Sequence, residues 1–375
     1  MLRAIRLLKE FNRLPKEYHE MVFFSESGNY WNTMAPIIKS LLKKDKSLTY
    51  LTMDKGDPGL QQDSDSTASF CLGGGMGLMY FMSMLRANLV IMTTPGLQTL
   101  TIKRSPAVKQ YIHVVHSPTG VSFYRKHSFD HFDTVMCSGR HQIDEIRKLE
   151  KIRNSKTKNL LETGLPYMDI SSSQLKNSRE DRQKERTNIL LAPTWGPNGA
   201  LSRYRMRLID VLVSTGFDIT IRPHPQQLKS EVSLINELKS ESKKIDSVIW
   251  DLDSSGHNSM LRSNIMISDL SGIIFDYVFV YEKPVIALDY ELDIKGFEHE
   301  DLLEDTIWER EISQSLGAVV TGDNLDILPE TIVSTLSRRN SRNEIRKLRE
   351  ASIFNFGHAG EAAAEQLIEL LGASA

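Results

Sequence analysis

Cysteine is almost missing from this chain. Two residues in 375, Cys71 and Cys137, stand too far apart, and in too apolar or small-residue a setting, for a disulfide framework or a zinc cluster. Stability must then come from buried cores, and a reducing cytosol is the expected setting. An excess of charge is missing as well. Lys and Arg total 46 against 48 Asp and Glu, a formal net charge of −2. That excludes bulk electrostatics as a route to nucleic acid, so any anionic ligand must be held by a specific site. Long hydrophobic runs are absent too. The longest apolar stretch, residues 72–94, opens on glycines and is broken by Arg86 and Asn88, so it reads as a loop, a helix and a buried strand rather than a membrane span. The N-terminus lacks the apolar core and cleavage site of a secretory signal, with charges recurring from Arg3 onward, and export is not expected.

What is present is an alternation of short apolar runs with longer helical patterns, which predicts repeated βα units on parallel sheets. Strands are expected at 21–24, 48–52, 89–93, 111–115, 134–137 and 159–162, and again at 188–192, 218–222, 247–251, 264–268, 284–288 and 318–321. The length, about twice that of a typical domain, fits two of them. The expected organisation is a first α/β domain over 1–168, a polar linker over 169–187, a second α/β domain over 188–358, and an amphipathic helix over 359–375 that crosses back onto the first. Two doubly wound, Rossmann-like domains of this kind place a ligand cleft between them, bordered by the carboxyl ends of strands from both, as in the GT-B transferases. Residues 2–16 intersperse Leu2, Ile5, Leu8 and Leu14 with Arg3, Arg6, Lys9 and Arg13, the period of a basic amphipathic helix. Such a helix suits an anionic lipid surface, or equally a first helix packed on its own domain.

Four segments carry candidate chemistry. Arg222-Pro223-His224-Pro225 ends an apolar strand and precedes a helical pattern over 227–238, so Arg222 and His224 stand where a phosphate is welcome; an ordinary Pro-rich turn competes with this reading. Ser268-Asp269-Leu270-Ser271-Gly272 repeats the geometry ahead of a helix over 273–281. There Ser271 or Asp269 is the expected N-cap, and Asp276 is placed to hold a donor hydroxyl. His116, in His116-Ser117-Pro118-Thr119-Gly120, follows a buried strand; an imidazole with an ordinary pKa of about 6.5 accepts an alcohol proton at cytosolic pH. His113 and His127 read as structural. The glycine run over 73–77 is no P-loop, for no Lys-Ser or Lys-Thr follows, and 67–72 makes a poor strand ahead of it; it reads as an acceptor-side loop or a plain turn. Asp251 and Asp253 are a weak carboxylate pair, and no essential metal or cofactor is expected.

Taken in order, the His116 turn, Ala192-Pro193-Thr194-Trp195, Arg222-Pro223-His224-Pro225, Ser268 to Gly272 with Phe275-Asp276-Tyr277, and Lys283-Pro284-Val285 resemble the CDP-glycerol glycerophosphotransferase family of teichoic-acid and capsule synthesis. The resemblance spans roughly residues 110–360 and departs from the family pattern at Ser117, Leu270 and Gly272. It implies a GT-B fold, with His116 and His224 catalytic. It implies further that Thr194, Arg222, Ser268, Asp269, Ser271, Gly272 and Asp276 hold a CDP-alcohol donor. The implied acceptor is lipid-linked or a glycan, and the implied place of work is the inner face of a bacterial membrane. From the residues alone three rivals stay open: a GT-B glycosyltransferase using a UDP- or CMP-sugar, a UDP-sugar 2-epimerase, and a nucleotide-binding scaffold without activity.

Overall fold

The computed structural model describes all residues except 63, 178–185, 254, 270, 290–293, 303–306, 322–323, 339–341 and 375. The chain divides into two compact units. The first comprises Met1–Ile170, Ile294–Asp305 and Ala351–Ala375, and the second Ser171–Asp293 and Thr306–Glu350.

The first unit is built on seven parallel strands: β1 (Met21–Ser25), β2 (Leu48–Thr52), β3 (Thr67–Cys71), β4 (Ala87–Met92), β5 (Val108–Val114), β6 (Thr134–Cys137) and β7 (Asn159–Glu162). Their order in the sheet is β3-β2-β1-β4-β5-β6-β7. Central strands such as Met-Val-Phe-Phe-Ser are buried at every position, because helices cover both faces of a parallel sheet. The helices are α1 (Leu2–Asn12), α2 (Trp31–Lys43), α3 (Met76–Met84), α4 (Arg140–Arg153) and α5 (Pro166–Asn177). One strand was unexpected. Thr67–Cys71 pairs in parallel with β2 at the sheet edge, where each of its residues is half-buried. An edge position demands no continuous apolar run, and so the sequence there reads as a poor strand.

The second unit carries six parallel strands: β8 (Asn188–Leu191), β9 (Asp218–Ile221), β10 (Val248–Trp250), β11 (Ile265–Asp269), β12 (Val285–Asp289) and β13 (Gly317–Thr321). They are ordered β10-β9-β8-β11-β12-β13. Its helices are α6 (Ala200–Val213), α7 (Gln227–Ser230), α8 (Val232–Ser242), α9 (His257–Arg262), α10 (Ile273–Tyr281), α11 (Trp308–Leu316), α12 (Leu328–Ser337) and α13 (Arg342–Ser352). Both sheets reverse strand order beside their first strand, at β1/β4 and at β8/β11, the doubly wound arrangement that opens a crevice at the carboxyl ends of those strands.

The chain does not divide at a single linker. Helix α5 runs into the polar segment expected to be one, and residues 178–185 lie outside the described residues. The last helix, α14 (Ala359–Ser374), belongs to the first unit: Ala363, Ala364 and Leu367 are fully buried there with Ile37, Ile38 and Leu41 of α2. Its start is fixed by Asp169, whose carboxylate accepts the N–H groups of Ala359 and Gly360 at 3.2 and 2.8 Å. Gly360 is required by close approach, since a Cβ there would stand 2.5 Å from that of Pro36.

Candidate functional site

Each unit presents polar side chains at the carboxyl ends of its central strands. In the first, Glu26 follows β1, Thr94 follows β4 and His116 follows β5, three adjacent strands. The His116 ring packs edge-on to Tyr30, with centroids 4.9 Å apart, and to Tyr124 at 6.1 Å. Its Nδ1 is buried without a hydrogen-bond partner among the described residues. Burial pulls its pKa down to about 4, so the imidazole is neutral near pH 7. Glu26 reaches solvent, yet desolvation by the surrounding protein raises its carboxyl above the ordinary range, partly offset by the Thr94 side chain. Tyr30 is raised by burial and then by the Glu26 charge. Sequence reasoning missed Glu26 and Tyr30. The signal was available, since they are among the first residues beyond a wholly buried strand beside the reversal of strand order. His113 is fully buried in contact with the rings of Phe129 and Phe132, as a structural histidine would be. His127 pairs with Asp130 at the surface.

In the second unit the reversal lies between β8 and β11, and there Asp269 and Ser268 are spent on the backbone. The buried Asp269 carboxylate accepts the N–H groups of Thr194 at 2.7 Å and Ala200 at 3.1 Å, and the Ser268 hydroxyl donates to the Ala192 carbonyl at 2.7 Å. These two residues therefore shape the loop over 193–199 instead of pointing at a ligand. Neither Asp269 nor Ser271 caps α10. Gly272 stands at the N-cap without a side-chain cap, and Ser271 and Gly272 are half-exposed there. Leu270 lies outside the described residues. Asp276, one turn into α10, raises the Tyr281 hydroxyl through its charge, although burial is the larger cause. Thr194 is half-exposed and Trp195 is 48% exposed, with its ring 6.4 Å from that of His224.

Arg222 differs most from its sequence reading. Its guanidinium is buried against Asp251, with Nη1 to Oδ2 at 2.8 Å, and Asp251 also accepts the Ser259 hydroxyl. The ion pair directs that end of the guanidinium into its own unit. Asp251 is likewise committed, taking in addition the N–H of Asp253 at 3.0 Å. The helix expected over 227–238 is broken at Glu231, so α7 has four residues and offers no helix-dipole site beside His224. The break has a cause. Glu231 accepts the Gly196 N–H at 2.5 Å, the Ser202 hydroxyl at 2.5 Å and the Gln227 amide at 2.8 Å, tying the turn after β9 to the loop after β8. His224 remains half-exposed. Its Nδ1 accepts the Gln226 N–H at 3.1 Å, so the neutral ring carries its proton on Nε2 and can donate to an anion. Among the described residues no group of three or more His, Cys, Asp or Glu is placed to hold a metal ion.

The first unit thus carries a histidine at the end of β5, and the second a histidine after β9, an uncapped α10 start and a braced loop after β8. Residues 9–302 match the family described as CDP-glycerol:poly(glycerophosphate) glycerophosphotransferase. The chain belongs to that family. The glycerophosphotransferase span contains all nine residues that the sequence singled out, from His116 to Asp276, and stops before α14. The minor teichoic acid biosynthesis protein GgaB of Bacillus subtilis (strain 168) is 31% identical over a stretch covering 37% of this chain and 16% of its own length. This glycerophosphotransferase-family chain therefore matches only a small part of that curated relative. Among solved structures, a histidine-to-asparagine variant of the wall teichoic acid polymerase TagF soaked with CDPG shares a TM-score of 0.58 at 16% identity, covering 99% of this chain and 96% of its own. UDP-GlcNAc 2-epimerase from Neisseria meningitidis, bound to UDP-GlcNAc, gives 0.61 at 13% identity, covering 93% and 100%. At these identities both speak for the fold, which is that of the GT-B enzymes.

Proposed function

We propose that this chain moves glycerol phosphate, or a related polyol phosphate, from a CDP-alcohol donor to a hydroxyl of a lipid-linked or glycan acceptor, with His116 as general base. The observation that carries the reading is the His116 imidazole itself: neutral, at the end of β5 one strand from the β1/β4 reversal, its Nδ1 buried without a partner among the described residues, inside the span that matches the family. The acceptor oxygen attacks the donor phosphorus that bears the polyol, its proton passes to His116, and the bond to CMP breaks so that CMP leaves with the electron pair. A neutral imidazole is the competent form for taking that proton. In the second unit the uncapped start of α10, Ser271 and the Nε2–H of His224 are the groups that fit the pyrophosphate, with Thr194 beside them and Asp276 one turn further along α10. Arg222, Ser268 and Asp269 act at one remove, by shaping the turns that carry those groups.

The experiment is CMP release from CDP-glycerol by the full chain. His116→Ala should reduce turnover by at least about a hundredfold while calorimetric affinity for CDP-glycerol stays near that of the parent. A variant that turns over normally removes His116 from the base role.

The inner membrane face is the proposed place of work. No helix among the described residues is long and apolar enough to cross a membrane. Contact is instead proposed through α1 and its neighbour α3. Helix α1 spends Leu7, Leu8 and Phe11 on the core with Leu78 and Phe81 of α3, while Leu2 of α1 and Met76 and Met79 of α3 are exposed, as are Arg3, Arg6, Lys9 and Arg13. Exposed basic and apolar side chains on these two packed helices suit anionic lipid.

A further inference from the structure

The turn that follows His116 is gripped from one side by α4. His141 Nε2 meets the Pro118 carbonyl at 3.0 Å. Gln142 Nε2 donates to the carbonyls of Ser117 at 3.1 Å and Thr119 at 2.6 Å, while its Oε1 accepts the Ser138 N–H at 2.7 Å. One helical turn further on, Glu145 Oε2 accepts the N–H groups of Val121 at 2.5 Å and Ser122 at 3.3 Å, and its Oε1 accepts the Ser122 hydroxyl at 3.1 Å. Both side chains are buried. Gly120 closes the arrangement. Its φ of −59° suits any residue, yet a Cβ there would stand 2.6 Å from Glu145 Oε1. The glycine is required by the approach of the carboxylate, not by backbone conformation.

We propose that Gln142 and Glu145 are positioning residues that fix the His116 turn, and that the charge state of Glu145 sets how firmly it is held. The proposal rests on the reading of His116 as base. A hydrogen bond to an ionised acceptor is roughly twice as strong as a neutral one, and burial pushes the Glu145 carboxyl up to about 7. The groups acting on its charge are the Val121 and Ser122 amides and the Ser122 hydroxyl from the turn, and Lys148 from α4. When protonated, Oε1 donates to the Ser122 hydroxyl while Oε2 keeps both amides. Glutamine in the same place does the same through its amide, so Glu145→Gln holds the neutral form at every pH.

The test uses the full chain with CDP-glycerol and a glycerol phosphate oligomer as the acceptor probe. CMP release is followed across the neutral pH range, and acylation of His116 by diethyl pyrocarbonate is read by mass spectrometry. In the parent, kcat should inflect near pH 7. Glu145→Gln should lose that inflection and keep the parent's KM for the donor. Glu145→Ala and Gly120→Ala, which break the grip from opposite sides, should lower kcat about tenfold through lost orientation, leave donor KM unchanged, and acylate His116 several-fold faster. The proposal is overturned if the inflection persists in Glu145→Gln, or if both alanine variants keep the parent's kcat and His116 acylation rate. Should His116→Ala retain turnover, the base reading fails by itself, and the acylation rates of the two alanine variants still decide whether the turn is clamped.

Discussion

At the scale of single residues, burial decides protonation. It lowers His113 to about 3 and His116 and His141 to about 4, from 6.5. A base depressed in the folded state binds fewer protons than it does in the unfolded chain, so its contribution is full above pH 6.5 and is lost as pH falls toward the folded values. Glu145, raised to about 7 from 4.5, runs the other way and gives up stability as pH rises between those values. Glu26, Asp169 and Glu298 are raised as well and His224 is lowered, but the large shifts belong to the three histidines and Glu145, and the melting temperature should fall as pH drops from 6.5 toward 4. Replacing the fully buried His113 by Phe should flatten that fall, measured by calorimetry across the range; an unchanged slope would remove His113 from the account. Arg222 gives a second prediction. Because it pairs with the half-buried Asp251 at 2.8 Å, Arg222→Ala should cost about 1.5–3 kcal/mol in urea unfolding by removing a charged hydrogen bond from that carboxylate. A variant with the parent's stability and weakened donor affinity alone would return Arg222 to the phosphate site.

Among elements, α1 shows how packing changes a sequence reading. Its period fits a free amphipathic helix, yet Ala4, Leu7, Leu8 and Phe11 are buried in its own unit. Deleting it would therefore strip core as well as surface. The informative change is at its surface, where Arg3, Arg6 and Lys9 are all exposed. Replacing these three by Glu should reduce sedimentation with anionic vesicles at least about tenfold, at roughly 1 kcal/mol per basic residue, with the melting temperature held near that of the parent. Equal sedimentation of parent and variant would end the membrane reading of this helix. The break between α7 and α8 teaches the same lesson. Its cause, Glu231 reaching across to Gly196 and Ser202, lies in residues far away in sequence.

For the molecule as a whole, the chain leaves the first unit and returns twice. Residues 294–302 come back to brace the loop beyond His116: the Glu298 N–H bonds the Tyr124 carbonyl at 2.8 Å, and Arg153 pairs with Asp130 and Asp301, each at 2.8 Å, and with Glu298. Helix α14 then returns to close the face over α2. Leu367→Ala should cost about 2–5 kcal/mol as a buried large-to-small change. The loss of hydrogen-exchange protection should appear in α2 and the first sheet, although the mutated residue follows the second unit in sequence. Loss confined to the second unit would contradict that placement.

The sequence by itself determined the fold class. Continuous apolar runs mark strands buried on both faces, and such runs at 21–24, 48–52 and 188–192 can hardly be read otherwise. It also delivered His116, His224 and Ser271 at strand ends, because an apolar run that stops at a polar residue announces its own carboxyl edge. Only the tertiary structure decided what those edges do. Whether Arg222 and Asp269 face a ligand or are spent on Asp251 and on the Thr194 and Ala200 amides depends on strands adjacent in the sheet but distant along the chain. The edge strand β3, the role of Gly120 and the grip of α4 on the His116 turn were hidden for the same reason: each depends on an approach between segments that local pattern does not record.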